Sequence, residues 1–174
     1  GKSTTKEMIA SVLQTAWKVC KTPANHNNDL GMPAAILAMD TDAKAVVLAE
    51  DVFMEQMTVS ATRDYEFVSI GGKITHDTVL VKEGSGKLSI NFNNDFVGGV
   101  ELKEGSIHVG ADYALGKGKL VTKEGTVLEI GSGVHAMIEH ESSSVSGAIA
   151  LADDAVIEFG GNFLASGPQS LSGN

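Results

Sequence analysis

Four residues at the head of the sequence, Gly1-Lys2-Ser3-Thr4, have the types and order needed to hold a phosphate. They match the end of the pattern G-x-x-x-x-G-K-[ST] and stand directly before a stretch of helical periodicity. In that arrangement backbone N–H groups and the helix N-terminus receive phosphate oxygens, the lysine adds charge, and the serine hydroxyl coordinates Mg²⁺. An acidic residue at the end of a later strand commonly completes such a metal site, and Glu50 follows the apolar run Ala45–Ala49. The first glycine of the pattern and its preceding strand are missing, so a capped surface helix is the alternative reading of the same residues.

The elements that must position this loop can be read in turn. Met8, Ile9, Val12, Leu13, Ala16 and Trp17 fall at helical spacing, with Lys6, Glu7, Gln14 and Lys18 on the other face. Thr4 and Glu7 form a capping box at the start of that helix. Lys18 to Lys21 reads as a short strand, Pro23 to Gly31 as polar loop, and Pro33 to Met39 as a second helix. Ala45 to Ala49 reads as a buried strand. Strand, helix and strand in alternation predict a parallel α/β layer.

Three segments of this region, GKSTTKEMIASVL, KTPANHNNDLGMPAAIL and AVVLAED, occur in that order. Together they resemble the ATP-binding central domain of the Mur ligases, most nearly the branch that adds D-alanyl-D-alanine to a UDP-N-acetylmuramoyl tripeptide. The resemblance covers roughly residues 1–55. It implies, only where the phosphate loop is completed, ATP as cofactor at Gly1, Lys2, Ser3 and Thr4 and Mg²⁺ on Ser3 and Glu50, and it implies a UDP-MurNAc-peptide loop containing Asn27 and Asn28. Glu50 lies one residue later than the family pattern. A fainter likeness in DYEFVSIGGKITH, residues 64–76, implies His76 as a further metal ligand. The segment so defined is a truncated α/β unit, residues 1–77.

The rest of the sequence has another character. Residues 1–60 contain two of the 20 glycines, and the acid excess is 2 there (7 acidic, 5 basic) against 7 afterwards (15 acidic, 8 basic). Three Lys-Glu-Gly triplets follow, at 82–84, 103–105 and 123–125, each leading into alternating apolar positions: Leu88, Ile90 and Phe92; Ile107 and Val109; Leu128 and Ile130. Asp153-Asp154, before Ile157 and Phe159, reads as a weaker fourth copy. Units of this length, with period-two strands and glycine corners, predict a solenoid. A right-handed parallel β-helix is favoured over a sandwich, with Ile107 stacked on Leu88 and Leu128 on Ile107. Lys87, Ser89, Glu101, Lys103, His108 and Glu129 are expected to face solvent. The fold class expected is thus mainly β, a β-helix over 78–174 preceded by an incomplete α/β phosphate-loop segment.

The stretch VKEGSGKLSINFNNDFVGGVELKEGSIHVGADYALGKGKL resembles the autotransporter-associated β-strand repeat of bacterial passenger domains. Gly86, Leu88, Ile90, Gly98, Gly99 and Gly105 are among the matching positions. This resemblance implies a rigid, non-catalytic spacer or adhesive stalk at a bacterial surface, with a surface or host ligand as partner and no cofactor. The two resemblances belong to opposite sides of an envelope: cell surface for a passenger, cytoplasm for a ligase. Together they imply a fused, recombined or fragmentary chain, inactive by itself, whose alternative reading is a fragment of an ATP-dependent amide ligase.

Composition narrows the partners. A net charge of -9 argues against nucleic acid, since phosphate would be repelled over most of the surface. No run of about 20 apolar residues suggests a membrane span, and no charged-then-apolar leader opens the chain. The lone Cys20 excludes an internal disulfide and reads as a small core residue. His135, Glu139, His140 and Glu141 are spaced too far apart along a strand to chelate and read as a polar outer face. Ser142–Ser144 has no partner pattern for a nucleophile, His26 reads as a surface histidine, and Asp40, Asp42, Asp153 and Asp154 read as turn residues.

Overall fold

Short apolar alternations between glycine corners leave each strand with one face it cannot bury alone. In the computed structural model the chain meets that demand by winding. The structure describes residues 43–140 and 142–160, together with residues 8, 11, 18–20, 164–165 and 171–173. In chain order the strands are β1 (Lys18–Cys20), β2 (Ala43–Leu48), β3 (Gln56–Ser60), β4 (Tyr65–Ser69), β5 (Val79–Glu83), β6 (Lys87–Ile90), β7 (Gly99–Leu102) and β8 (Ser106–Val109). They continue as β9 (Leu120–Thr122), β10 (Val127–Ile130), β11 (His135–Ile138), β12 (Ser144–Val145), β13 (Ala148–Leu151), β14 (Val156–Phe159), β15 (Leu164–Ala165) and β16 (Leu171–Gly173).

From β2 to β10 successive strands alternate between two parallel sheets, so each circuit adds one strand to each. The eight-stranded sheet has the order β1-β2-β4-β6-β8-β10-β13-β16, and the six-stranded sheet β15-β12-β9-β7-β5-β3. A third face is formed by β11 paired with β14, and earlier by the single bridge between Val52 and Ile74. The product is a mainly β solenoid of about five turns.

The interior is a set of columns. Leu88, Ile107, Leu128 and Ile149 pair in register from coil to coil, as do Ile90, Val109, Ile130 and Leu151. Leu88, Ile107 and Ile90 are wholly buried. Burial of each such side chain is worth about 1.5–3 kcal/mol. The stacking of Ile107 on Leu88 and of Leu128 on Ile107 follows the sequence expectation. The residues expected outward, including Lys87, Ser89, His108 and Glu129, are half-buried beside their neighbours on the outer face.

The three Lys-Glu-Gly triplets form one corner in three successive coils, where the six-stranded sheet hands over to the eight-stranded one. Gly84, Gly105 and Gly125 have φ of 73°, 72° and 82°, a left-handed backbone that side chains disfavour. Lys82 pairs with Leu102, and Leu102 with Thr122, so the first triplet sits one residue out of step with the others. The fourth copy is a correction. Val156–Phe159 pairs with His135–Ile138 on the third face, not with Val127–Ile130. The true successor of β10 is Ala148–Leu151, entered from Ser146-Gly147. Asp154, with φ 56°, instead corresponds to the turn at Gly133, where φ is 69°.

The N-terminal strands join the same architecture. β1 and β2 are parallel, as the strand–helix–strand reading predicts, and Met8 and Ser11 are helical. Met8, assigned by its spacing to the apolar face, is 65% exposed. The second predicted helix, Pro33 to Met39, lies outside the described residues. On its other edge β2 pairs with β4 in register, Ala45 with Glu66 through Leu48 with Ser69. Both sheets therefore pass without interruption across residues 77 and 78.

Candidate functional site

Of the residues assigned metal or phosphate chemistry, Glu50 and His76 are among those described, and Glu50 stands where β2 leaves its sheet. Glu50 lies just beyond Leu48, at the carboxyl end of a parallel strand, and is half-buried. The next coil lies against its peptide: a Cβ built on Gly72 would fall 2.1 Å from the Glu50 carbonyl oxygen. Only a residue without a side chain allows that approach. Asp51 is exposed, and its Oδ1 accepts the Lys73 N–H at 3.2 Å.

From Asp51 a charged chain continues along the third face. Lys73 Nζ donates to Asp95 Oδ2 one coil further on. That hydrogen bond raises the Lys73 pKa above the usual lysine range; partial desolvation opposes it, while the charges of Asp95 and Asp51 reinforce it. The other carboxylate oxygen, Asp95 Oδ1, is buried without a hydrogen-bond partner among the described residues. The sequence contained this chain as an interval of 22 residues, one coil, between Asp51 and Lys73 and again between Lys73 and Asp95. The period was legible in the glycine corners but not in these charges, because Asp51 and Lys73 lie before the first triplet and no repeated motif marks the three positions.

His76 stands on a left-handed backbone with φ 60°. Its Nδ1 is 2.7 Å from Thr75 Oγ1, and its ring lies 5.0 Å from that of Phe53, inclined at 47°. Phe53 itself is 47% exposed. The His76 carbonyl accepts Val97 N–H at 2.7 Å, which locks the strained turn to the following coil. Among the described residues no three His, Cys, Asp or Glu side chains converge on one point.

Glu50 has hard carboxylate oxygens, and its half-buried place at the end of a parallel strand fits a ligand to Mg²⁺. Gly1, Lys2, Ser3, Thr4, Asn27 and Asn28 lie outside the described residues, as does His26. The polar residues near the other end are engaged elsewhere. His135 Nε2 is 2.9 Å from Glu158 Oε2, Glu139 accepts Tyr113 OH at 3.5 Å, and His140 Nδ1 accepts Ser142 N–H at 3.2 Å.

Two functional-looking residues escaped the sequence reading. Lys82 is wholly buried, with Nζ donating to the carbonyls of Glu83, Gly84 and Glu104 at 2.8, 2.6 and 3.3 Å. Asn94, also buried, accepts Ile74 N–H at 2.8 Å and donates to the Ala114 carbonyl at 2.9 Å, tying three coils together. Both satisfy backbone groups at corners, which is structural work.

Residues 1–70 match the family described as Mur ligase middle domain. The chain is 39% identical over 69 residues to the UDP-N-acetylmuramoyl-tripeptide–D-alanyl-D-alanine ligase of Bacillus subtilis (strain 168), covering 40% of this chain and 14% of that protein. It is 50% identical over 42 residues to the ligase of the same name from Synechocystis sp., covering 24% and 9%. Against that of Borreliella burgdorferi it is 43% identical over 47 residues, covering 27% and 10%. The chain thus spans no more than about a seventh of the length of these relatives. No solved structure matches. No helix among the described residues is long and apolar enough to cross a membrane.

Proposed function

We propose that the N-terminal part of the chain is a nucleotide-binding piece of an ATP-dependent amide ligase of peptidoglycan precursor synthesis, of the kind that adds D-alanyl-D-alanine, set on a non-catalytic β-solenoid. The observation that carries this reading is the 39% identity over 69 residues to a ligase with that activity in its name, in a chain whose residues 1–70 also match the Mur ligase middle domain. In this reading Gly1, Lys2, Ser3 and Thr4 receive the phosphates of ATP, and Ser3 and Glu50 serve Mg²⁺, with His76 as a further ligand. Asn27 and Asn28 belong to the loop facing a UDP-MurNAc-peptide. The metal would offset phosphate charge, and the chain's own part is to hold and orient the nucleotide.

Calorimetric titration of the chain with Mg-ATP tests it. Saturable binding that Lys2→Ala weakens at least about tenfold is expected, since a phosphate-loop lysine supplies charge-assisted bonds of about 1.5–3 kcal/mol each. No measurable affinity in the unaltered chain would end the proposal.

The uninterrupted coils from β5 to β14 favour a second reading, a structural or adhesive stalk of autotransporter-passenger type at a bacterial surface. There the matched glycines serve turns alone and the N-terminal segment covers one end of the stack. ADP release that depends on both a UDP-MurNAc-tripeptide and D-alanyl-D-alanine would count against that reading.

A further inference from the structure

Among the described residues four large apolar side chains are exposed: Met8, Phe53, Val97 and Val156. Two of them lie in one line along the solenoid axis. Phe53 follows Val52 on the third face, where Val52 bridges Ile74, and Val97 lies two coils further on. Between them stands His76. By register Thr75 is the neighbour of Phe53, and it is buried; the exposed ring comes from His76, whose φ of 60° is a backbone that side chains avoid. The His76 ring lies 5.0 Å from that of Phe53, and its carbonyl accepts Val97 N–H at 2.7 Å. Phe53, His76 and Val97 thus form one continuous exposed row, roughly 10 Å long at about 4.8 Å per coil.

The rim of this row is acidic. Asp51 and Glu55 stand two residues to either side of Phe53, and Asp77 follows His76; all three are exposed. Glu55 and Asp77 have no side-chain hydrogen bond or ion pair among the described residues. Lys73 lies nearby, but its ammonium is held by Asp95. At the far end Lys117 is engaged as well, its Nζ 5.8 Å from the centre of the Tyr113 ring. The platform is fixed, because Gly98 seats so closely on the previous coil that a Cβ there would fall 2.2 Å from the Asp77 carbonyl oxygen. Apolar side chains exposed singly need no partner, whereas a contiguous row inside a charged rim marks a contact surface.

We propose that this row docks a cationic amphipathic helix of a partner protein, whose apolar side chains rest on Phe53 and Val97 while its lysines or arginines meet Glu55 and Asp77. Length and charge together choose this occupant. Residues seven apart on a helix are separated by about 10.5 Å, the span of the row. The unpaired carboxylates of the rim call for positive charge and repel an anionic membrane surface or a nucleic acid. A second copy of this chain would bring the same acids against them and is disfavoured for that reason. The surface is carried by Phe53, Val97 and the rim, so it stands apart from the reading of His76 as a metal ligand.

Amide chemical-shift titration of the full chain, without Mg²⁺ or nucleotide, is the test. The probe is a synthetic amphipathic helix of leucine and lysine, and its control is the same peptide with glutamate for lysine. Saturable shifts centred on Phe53, His76 and Val97 are expected with the cationic peptide and none with the acidic one. Phe53→Ala should weaken binding at least about tenfold, as loss of a central aromatic anchor does. Glu55→Gln combined with Asp77→Asn should weaken it severalfold at low salt and by less at high salt, where exposed charges are screened. Val156→Ala, which trims an exposed valine away from the row, should bind as the unaltered chain does. No saturable shift, an acidic peptide bound as tightly, a Phe53→Ala or rim variant that binds unchanged, or a Val156→Ala variant weakened as much as Phe53→Ala would each overturn the proposal. So would sedimentation showing a dimer that Phe53→Ala dissociates, which would give the row to a second copy.

Discussion

Lys82 and Leu102 occupy the same interior position one coil apart, the lysine buried as completely as the leucine that stacks on it. Thr122 and Val145 continue the column. The lysine is tolerated there because its stem packs among aliphatic neighbours while its ammonium reaches three carbonyls at the corner. Lys82→Met keeps most of the volume and abandons those carbonyls, so a loss of about 1–3 kcal/mol is expected in urea unfolding. Lys82→Ala should lose more, because it adds an internal cavity. Equal stability of Lys82→Met and the unaltered chain would show that water serves those carbonyls as well as the ammonium does.

The same lysine gives a pH dependence whose sign is fixed. Desolvation holds the Lys82 pKa below the usual 10.5, against the opposing charges of Glu104 and Asp64. The unfolded chain therefore binds this proton more tightly than the folded one, and stability from this group rises with pH in the window just below 10.5. Lys73 acts in the opposite sense. Its pKa is raised, so its contribution is present below 10.5 and is lost as pH climbs through the folded value. Denaturant midpoints of the Asp95→Asn variant, which removes the Lys73 pairing and keeps Lys82, should thus rise more steeply as pH climbs toward 10.5 than those of Lys82→Met, which has lost the titrating group. Identical slopes would refute the assignment.

Asn94 is a cross-coil fastener that no apolar residue can imitate. Removing its amide leaves the Ile74 N–H and the Ala114 carbonyl buried without partners. At about 1–3 kcal/mol for each of the two orphaned groups, Asn94→Ala should cost about 2–6 kcal/mol. Hydrogen exchange should localise the effect, with the Ile74 amide losing protection before the amides of β6 and β8. Uniform loss of protection would mean that the coils melt as one unit regardless of this residue.

The parts of the fold that the sequence displayed are those where one residue type has one physical job. Glycine at 84, 105 and 125 supplies a left-handed corner, and the alternation at Leu88, Ile107 and Leu128 supplies the column. The first coil was illegible for the opposite reason. Its corner has arginine for glycine and its column has tyrosine for an aliphatic, so neither signal appears at Ala61–Tyr65. The third face was misread because its turns use Asp154 and Gly133 interchangeably, which gave Val156–Phe159 the look of a fourth β10. Lys82 and Asn94 were missed because polar residues in a charged triplet or an asparagine run read as solvated surface. The charged line through Asp51, Lys73 and Asp95 depends on coil spacing that becomes visible only when strands are paired.

Two corner glycines separate backbone strain from coil-to-coil contact. Gly105 and Gly125 share a left-handed backbone, with φ of 72° and 82°. A Cβ at Gly105 would meet the carbonyl oxygens of Gly84 and Gly86 at 2.5 Å, while a Cβ at Gly125 would meet nothing within 4 Å. Gly125→Ala should therefore cost only the left-handed penalty, about 1–2 kcal/mol. Gly105→Ala should cost distinctly more, because the carbonyls it strikes belong to the neighbouring coil and can retreat only by opening the stack. Thermal unfolding of the two variants reads the difference directly. If they melt together, the close seating of one Lys-Glu-Gly corner on the last contributes nothing that the backbone turn does not already supply.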